Sequence, residues 1–327
     1  MTKHDVQICV VGAGRLSSTR ICPYLGLAGA ELVGVCDLDF SRASEMARRY
    51  GGAAYASLDK MLDFESPDGV IVCVGAEVHE QLAQVIMRRR IPVYTEKPPA
   101  LTSAGALQVA RVSAEMSTLC STAFRKRYSV AYDRAKEWLS GFRPSEHLAI
   151  GVEFSSGAYL NASESTSFLL DFAIHAIDLV SFLMGDVKDV FCFSSDERAW
   201  AVSLRFESGA VGTMSLTDGR SFEIPTETVE LTVNNGNFMT IKNSSSWRIT
   251  TDFHTTEWRE PPTFVSSGDS GYETGHLSEL EDFVIALNTG AATRSNIYES
   301  YKTMVLYEAI QTSARLNMPV RVFYESL

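Results

Sequence analysis

Along the first 124 residues, short apolar runs alternate with longer segments of helical periodicity. Val6–Val11, Leu32–Cys36, Val70–Val74, Val93–Thr95 and Thr118–Phe124 are almost continuously apolar, the pattern of strands buried on both faces. A weaker run at Ala53–Tyr55 adds a further strand. Helices are expected over 15–29, 41–50, 78–90 and 103–116, with Ser41 and Ser103 as N-caps. This rhythm predicts a doubly wound parallel sheet.

After Phe124 the pattern changes. Tyr128–Leu139 and the strongly apolar Phe168–Met184 read as helices. Closely spaced strand-like runs follow: Val187–Ser194, Trp200–Phe206, Ala210–Leu216, Thr228–Val233, Phe238–Ile241 and Trp247–Thr251. Turn signals such as Glu207-Ser208-Gly209 and Asn234-Asn235-Gly236 separate them, which predicts a large, mostly antiparallel sheet. His276–Leu287 and Tyr298–Leu316 close the chain as helices, and Ser266–Gly271 reads as a loop. The expectation is an α/β protein of two domains, 1–124 and 125–327.

Two stretches of the first domain carry candidate chemistry. Gly12-Ala13-Gly14-Arg15-Leu16-Ser17 follows the first strand directly. Gly12 allows a tight turn, and Gly14 lets a pyrophosphate approach the backbone at a helix N-terminus. Ser17 stands where a third glycine is usual. Asp37 ends the second strand, where a carboxylate can accept hydrogen bonds from a ribose and repel a 2′-phosphate. Arg42 is a cation close enough in sequence to receive such a phosphate. The second stretch is Tyr94-Thr95-Glu96-Lys97-Pro98-Pro99. Pro98 biases Lys97 toward extended backbone, at the strand end where a parallel sheet opens its ligand crevice.

In the second domain Asp171, His175 and Asp178 are spaced i, i+4, i+7, which places them on one helical face among apolar neighbours. Burying ionisable groups is costly unless they pair or work. Two readings stand: a structural Asp–His hydrogen bond, or a histidine acid/base held by a carboxylate.

Composition narrows the classes. A formal net charge of −11 argues against nucleic-acid binding and against tight association with anionic membrane. No apolar run reaches spanning length, and Met1–Asp5 does not read as a signal peptide, so a cytoplasmic location is expected. The six cysteines form no C-x-x-C pair and read as buried thiols, and the six histidines lack metal-ligand spacing; no metal is expected.

The N-terminal G-x-G, the strand-end Asp37, Glu96-Lys97-Pro98 and Asp171-x-x-x-His175-x-x-Asp178 together resemble the glucose–fructose oxidoreductase, inositol dehydrogenase and rhizopine-catabolism family, Gfo/Idh/MocA. The likeness runs through Phe124-Arg125-Lys126-Arg127-Tyr128 and covers nearly the whole chain. It implies an N-terminal Rossmann domain, a second α/β domain whose open, mostly antiparallel sheet forms a homodimer or homotetramer interface, and NAD as cofactor, with NADP possible. Lys97, Asp171 and His175 fall on the family's catalytic positions. The resemblance implies cofactor contacts from Gly12, Gly14, Arg15, Leu16, Asp37, Val74, His79, Glu96 and Lys97. Substrate contacts are implied for Lys97, Arg127, Asp171 and His175, with a sugar, cyclitol or sugar derivative as substrate. Arg127 could equally be a surface charge in a basic run, and Asp178 could support the imidazole or be structural. A redox-neutral sugar reaction on tightly bound NAD and a non-catalytic NAD-binding regulator remain alternatives. One departure is Val74-Gly75-Ala76-Glu77 before His79, where relatives commonly carry Thr-Pro-Asn.

Overall fold

The computed structural model describes residues 6–157, 168–220, 226–258 and 271–327. The chain divides into two compact units: Met1–Arg125 with Gly275–Tyr301 and Leu327, and Lys126–Thr274 with Lys302–Ser326.

The first unit is a wound sheet. Its elements are β1 (Val6–Val11), α1 (Cys22–Leu25), β2 (Ala30–Cys36), α2 (Phe40–Tyr50), β3 (Ala53–Tyr55), α3 (Leu58–Glu65), β4 (Gly69–Val72), α4 (His79–Arg88), β5 (Val93–Thr95), α5 (Ser103–Met116) and β6 (Cys120–Thr122). The strands lie in the order β3-β2-β1-β4-β5-β6, and every pairing is parallel. The continuous apolar runs are explained by two cores. Val6, Ile8 and Val10 pack on one face with Ile21, Leu25, Ala43 and Met46. Cys9, Val11, Val70 and Val72 pack on the other with Met61, Ile86, Met87 and Val109. The order reverses between β1 and β4, so the carboxyl ends of these strands form the switch-point crevice of such folds.

Local differences from expectation have local causes. The helix expected over 15–29 is shorter, a wide turn at Ser17–Ile21 running into α1. The Cys22 amide donates to Ser17 O, and Pro23 has no amide to give. Asp39, not Ser41, caps α2, accepting from the Ser41 amide at 3.0 Å. Thr102, not Ser103, caps α5 through Gly105 N–H at 3.1 Å. Helix α3 was not expected; Ser57 caps it. The segment His276–Thr289 also belongs to this unit: Leu280, Phe283 and Val284 join the first core, and Phe283 meets Tyr94 at 5.6 Å between ring centroids. Burying a phenylalanine contributes roughly 1.5–3 kcal/mol.

The second unit contains α6 (Val130–Ser140), β7 (His147–Ser155), α7 (Phe168–Asp171), α8 (Ile174–Met184), β8 (Val187–Ser195), β9 (Ala199–Phe206), β10 (Val211–Thr217), β11 (Thr226–Val233), β12 (Phe238–Lys242), β13 (Ser246–Thr251) and β14 (His254–Trp258). After α9, the His276–Thr289 helix, come α10 (Ile297–Leu316) and β15 (Val320–Arg321). Its sheet has the order β14-β13-β12-β11-β7-β10-β9-β8-β15. It is antiparallel except where β10 pairs with β7. β7, β14 and β15 were not expected. One face alternates inward as Val202, Leu204, Met214, Leu216, Val229 and Leu231, all buried; intervening Ser203, Arg205, Thr213, Ser215 and Glu230 are exposed. The loop expected at 266–271 lies, up to Ser270, outside the described residues. Among the described residues no helix is long and apolar enough to cross a membrane.

Candidate active site

In the first unit the glycine turn is shaped by sterics. Gly12 has φ +96°, and a Cβ there would lie 2.1 Å from Cys73 O, so only glycine fits. Its amide donates to Cys36 O at 2.8 Å. Ser17 is fully buried and donates to Gly12 O at 2.5 Å, so the residue in place of the third glycine fastens the turn. A Cβ on Gly14 would meet no protein atom within 4 Å. That open space borders a helix start, where Ser18 N–H bonds Gly14 O at 3.1 Å and the preceding amides lack intrahelical acceptors. Arg15 and Leu16 are exposed there. Asp37 accepts from Ala13 N–H at 2.7 Å and from Asp39 N–H at 2.8 Å, which fixes both carboxylate oxygens. This turn, its open helix start and the anchored carboxylate fit a dinucleotide.

The neighbouring strand ends are pinned as well. Cys73 N–H bonds Val11 O at 2.8 Å, Glu96 N–H bonds Val72 O at 2.9 Å, and Ala123 N–H bonds Thr95 O at 2.8 Å. Glu96 and Lys97 are half-buried at the end of β5, and the Lys97–Pro98 peptide is cis. Val74 is half-buried in the loop after β4. His79 is not at the surface: it is 1% exposed, with Nδ1 2.7 Å from Pro98 O and Nε2 3.1 Å from Val74 O. Burial holds its imidazole below the ordinary histidine range, against the opposing pull of those two carbonyls. The Cys9, Cys22, Cys73 and Cys120 thiols are pushed up to about 12, first by burial, which leaves them unsuited as nucleophiles.

In the second unit the expected single helix is broken. α7 ends at Asp171 and α8 begins at Ile174. Across the break Ala173 N–H reaches back to Phe168 O, while His175 and Ala176 N–H bond three residues back to Phe172 and Ala173 O. Phe172 lies in the break, its ring 4.8 Å from Phe154 and 5.5 Å from Phe168. Asp171 is half-buried and His175 is 8% exposed. Asp178 belongs to a different structure. Arg127 Nε donates to it at 2.9 and 3.1 Å, Arg127 Nη2 at 2.7 Å, and Thr303 Oγ1 at 2.9 Å. Arg127 is 2% exposed, neither a surface charge nor an open crevice residue. The adjacent Lys126 pairs with Glu227, which also accepts from Tyr132 and Ser244 hydroxyls, each at 2.5 Å. Thr303 lies 125 residues from Asp178 and Glu227 lies 101 residues from Lys126, and no local pattern flags them. Among the described residues no group of three metal-ligating side chains occurs.

Comparison with known proteins gives a consistent picture. The oxidoreductase family model with an NAD-binding Rossmann fold matches residues 6–124, and the GFO/IDH/MocA C-terminal domain model matches 142–239. An inositol 2-dehydrogenase of Acidothermus cellulolyticus is 24% identical, covering 98% of this chain and 96% of that protein. A D-apiose dehydrogenase of Paraburkholderia graminis is 26% identical over 94% of this chain and 87% of its own. Among solved structures, an Agrobacterium radiobacter oxidoreductase in complex with NAD+, L-tartaric acid and magnesium superposes with a TM-score of 0.85 at 16% identity, over 97% of this chain and 98% of that one. The WlbA dehydrogenase of Bordetella pertussis, with NADH and UDP-GlcNAcA, gives 0.83 at 18% identity, over 99% and 100%.

Proposed function

The chain belongs to the GFO/IDH/MocA family of NAD-binding oxidoreductases, and we propose that it transfers a hydride between the nicotinamide and a hydroxyl-bearing carbon of a sugar, cyclitol or sugar derivative. The supporting observation is a cofactor turn with a half-buried lysine two strands away, in a chain that also keeps Asp171 and His175. The substrate class is supported by relatives named for inositol, D-apiose and D-glucoside oxidation.

Gly12, Gly14, Arg15 and Leu16 would hold the pyrophosphate, Asp37 the ribose, and Val74, Glu96 and Lys97 the nicotinamide side. When bound, the nicotinamide supplies the site that takes up or returns the hydride. In the oxidative direction His175 removes the hydroxyl proton while the carbon-bound hydrogen leaves with its electron pair, and a carbonyl forms. Lys97 stabilises the developing negative oxygen by a charge-assisted hydrogen bond. Asp171 orients His175 or holds a neighbouring hydroxyl. Arg127, committed to Asp178, would act through the helix that bears His175 and not on substrate. A panel of sugars and inositols, read by NADH absorbance and by product analysis, tests the proposal. Product analysis also detects a reaction with no net NADH. Turnover of no polyol together with specific capture of a protein partner would favour the regulator.

We further assign the protein to the cytoplasm, where its six buried thiols would stay reduced. The sheet of the second unit leaves Phe193, Val211 and Phe238 exposed, which supports a homodimer or homotetramer built through 187–251. Light scattering should then find no monomer at micromolar concentration; a monomer would refute the assembly.

A further inference from the structure

One imidazole spans the two strand-end loops of the first unit. Val74 lies two residues beyond β4, and Pro98 directly follows Lys97. The carbonyls of both converge on His79, at 3.1 and 2.7 Å. Carbonyl oxygens only accept, so both contacts ask the ring for an N–H. A neutral ring has one; the shorter contact assigns it to Nδ1, facing Pro98. The stronger half of the bracket therefore holds the turn that carries Lys97.

The bracket is anchored on a rigid element. His79 opens α4, whose Ala83, Ile86 and Met87 are fully buried. The loop it holds, Val74-Gly75-Ala76-Glu77, contains no proline to stiffen it. The Glu77 carboxylate folds back to where a Cβ on Gly75 would sit, 2.3 Å away, so bulk at Gly75 would displace it. Glu96 N–H on Val72 O ties the same two strands just before the loops diverge.

We propose that His79 is a positioning residue: it makes no cofactor contact, but locks the loop after β4 and the Lys97–Pro98 turn into one body, so that Lys97 keeps its aim. The proposal rests on the role given to Lys97 above. Held side chains at a site need support from groups that are themselves locked by packing, and a displacement of about 1 Å can cost about a hundredfold in rate.

The test uses the full chain. His79→Leu removes the Nδ1–H donor to the Pro98 carbonyl together with the ring that spans the two loops, and His79→Gln keeps an N–H donor at similar reach. Amide hydrogen exchange, which needs no substrate, should rise about tenfold or more in both 73–78 and 96–100 of His79→Leu, with β1 and α5 unchanged. His79→Gln should recover much of that protection. In a double-mutant cycle on the polyol turned over, His79→Leu should lower kcat about tenfold alone but less than about twofold in a Lys97→Ala background. NAD+ affinity should change less than about threefold. Exchange that rises evenly across the protein, or in neither loop, overturns the proposal, as does an equal kcat loss in both backgrounds. Full turnover by Lys97→Ala would remove the underlying catalytic reading instead, and the exchange pattern would still report on the bracket.

Discussion

Asp37 Oδ2 accepts the backbone hydrogen of Ala13 at 2.7 Å, so the carboxylate ending β2 is fastened to the glycine turn itself. With Asp39 N–H on the other oxygen, the charge cannot swing away to admit a second phosphate. Arg42, the nearby cation, lies 3.4 Å from Asp39 Oδ2. Asp37→Ser should therefore weaken NAD(H) binding by about tenfold or more, the worth of a charge-assisted hydrogen bond, and narrow the gap to NADP(H). Fluorescence titration of both cofactors measures this. Tighter NADP(H) than NAD(H) binding by the unmutated protein would contradict it.

The two glycines of the turn should separate fold from binding. Gly12→Ala forces a Cβ into Cys73 O at a positive φ, and should lower the melting temperature strongly or prevent folding. Gly14→Ala meets no protein atom, so the melting temperature should stay within about 2 °C, the ordinary range for an open site, while NAD+ affinity falls. Unchanged NAD+ affinity in Gly14→Ala would place the pyrophosphate elsewhere.

Glu227 gives the second unit an acid sensitivity. Burial alone would raise its pKa, but the Lys126 charge and the hydrogen bonds from Lys126, Ser244 and Tyr132 outweigh that and hold it low. A depressed folded pKa contributes stability above the unfolded value, about 4.3, and loses it as pH falls through the folded one. At pH 7 Glu227→Gln should cost about 3–5 kcal/mol, because it leaves Lys126 buried without its counter-charge. Urea unfolding from pH 7 downward should bring the two proteins together as acid protonates Glu227. Parallel curves at all pH values would show that the pair carries no charge-dependent stability.

The wound sheet was legible because strands buried on both faces carry few polar positions to confuse the pattern: Val6–Val11, with Gln7 its one exposed residue, and Val93–Thr95 fall where the apolar runs put them. The hairpins were legible from their turns, such as Asn235 and Gly236, both at positive φ. β7 was not, because His147-Leu148-Ala149-Ile150-Gly151 alternates weakly and lies mid-sheet through pairings with β10 and β11, set by distant chain. β14 was missed because nearly all of it is exposed, with little apolar pattern to read. Local spacing singled out Asp171 and His175 as one pair on a helix but did not show the break at Phe172–Ala173, nor that Asp178 faces Arg127. Pairing partners such as Thr303 are chosen by tertiary packing, which short-range spacing does not encode. His79 stands out in the sequence just after the loop that follows β4, but its burial depends on where the Pro98 carbonyl goes.

The central claim is that Lys97 and His175 act on the transferring hydroxyl. Steady-state kinetics on folded Lys97→Ala and His175→Ala, with NADH binding titrated in parallel, test it most directly. Lys97→Ala should lose roughly 3 kcal/mol of transition-state stabilisation, about a hundredfold in rate, as for one oxyanion donor. His175→Ala should lose on the order of 10²–10⁴-fold together with the pH dependence that a general base imposes. Asp171→Asn should fall between wild type and these, and cofactor affinity should hardly move. Near wild-type turnover by both alanine variants would contradict the account.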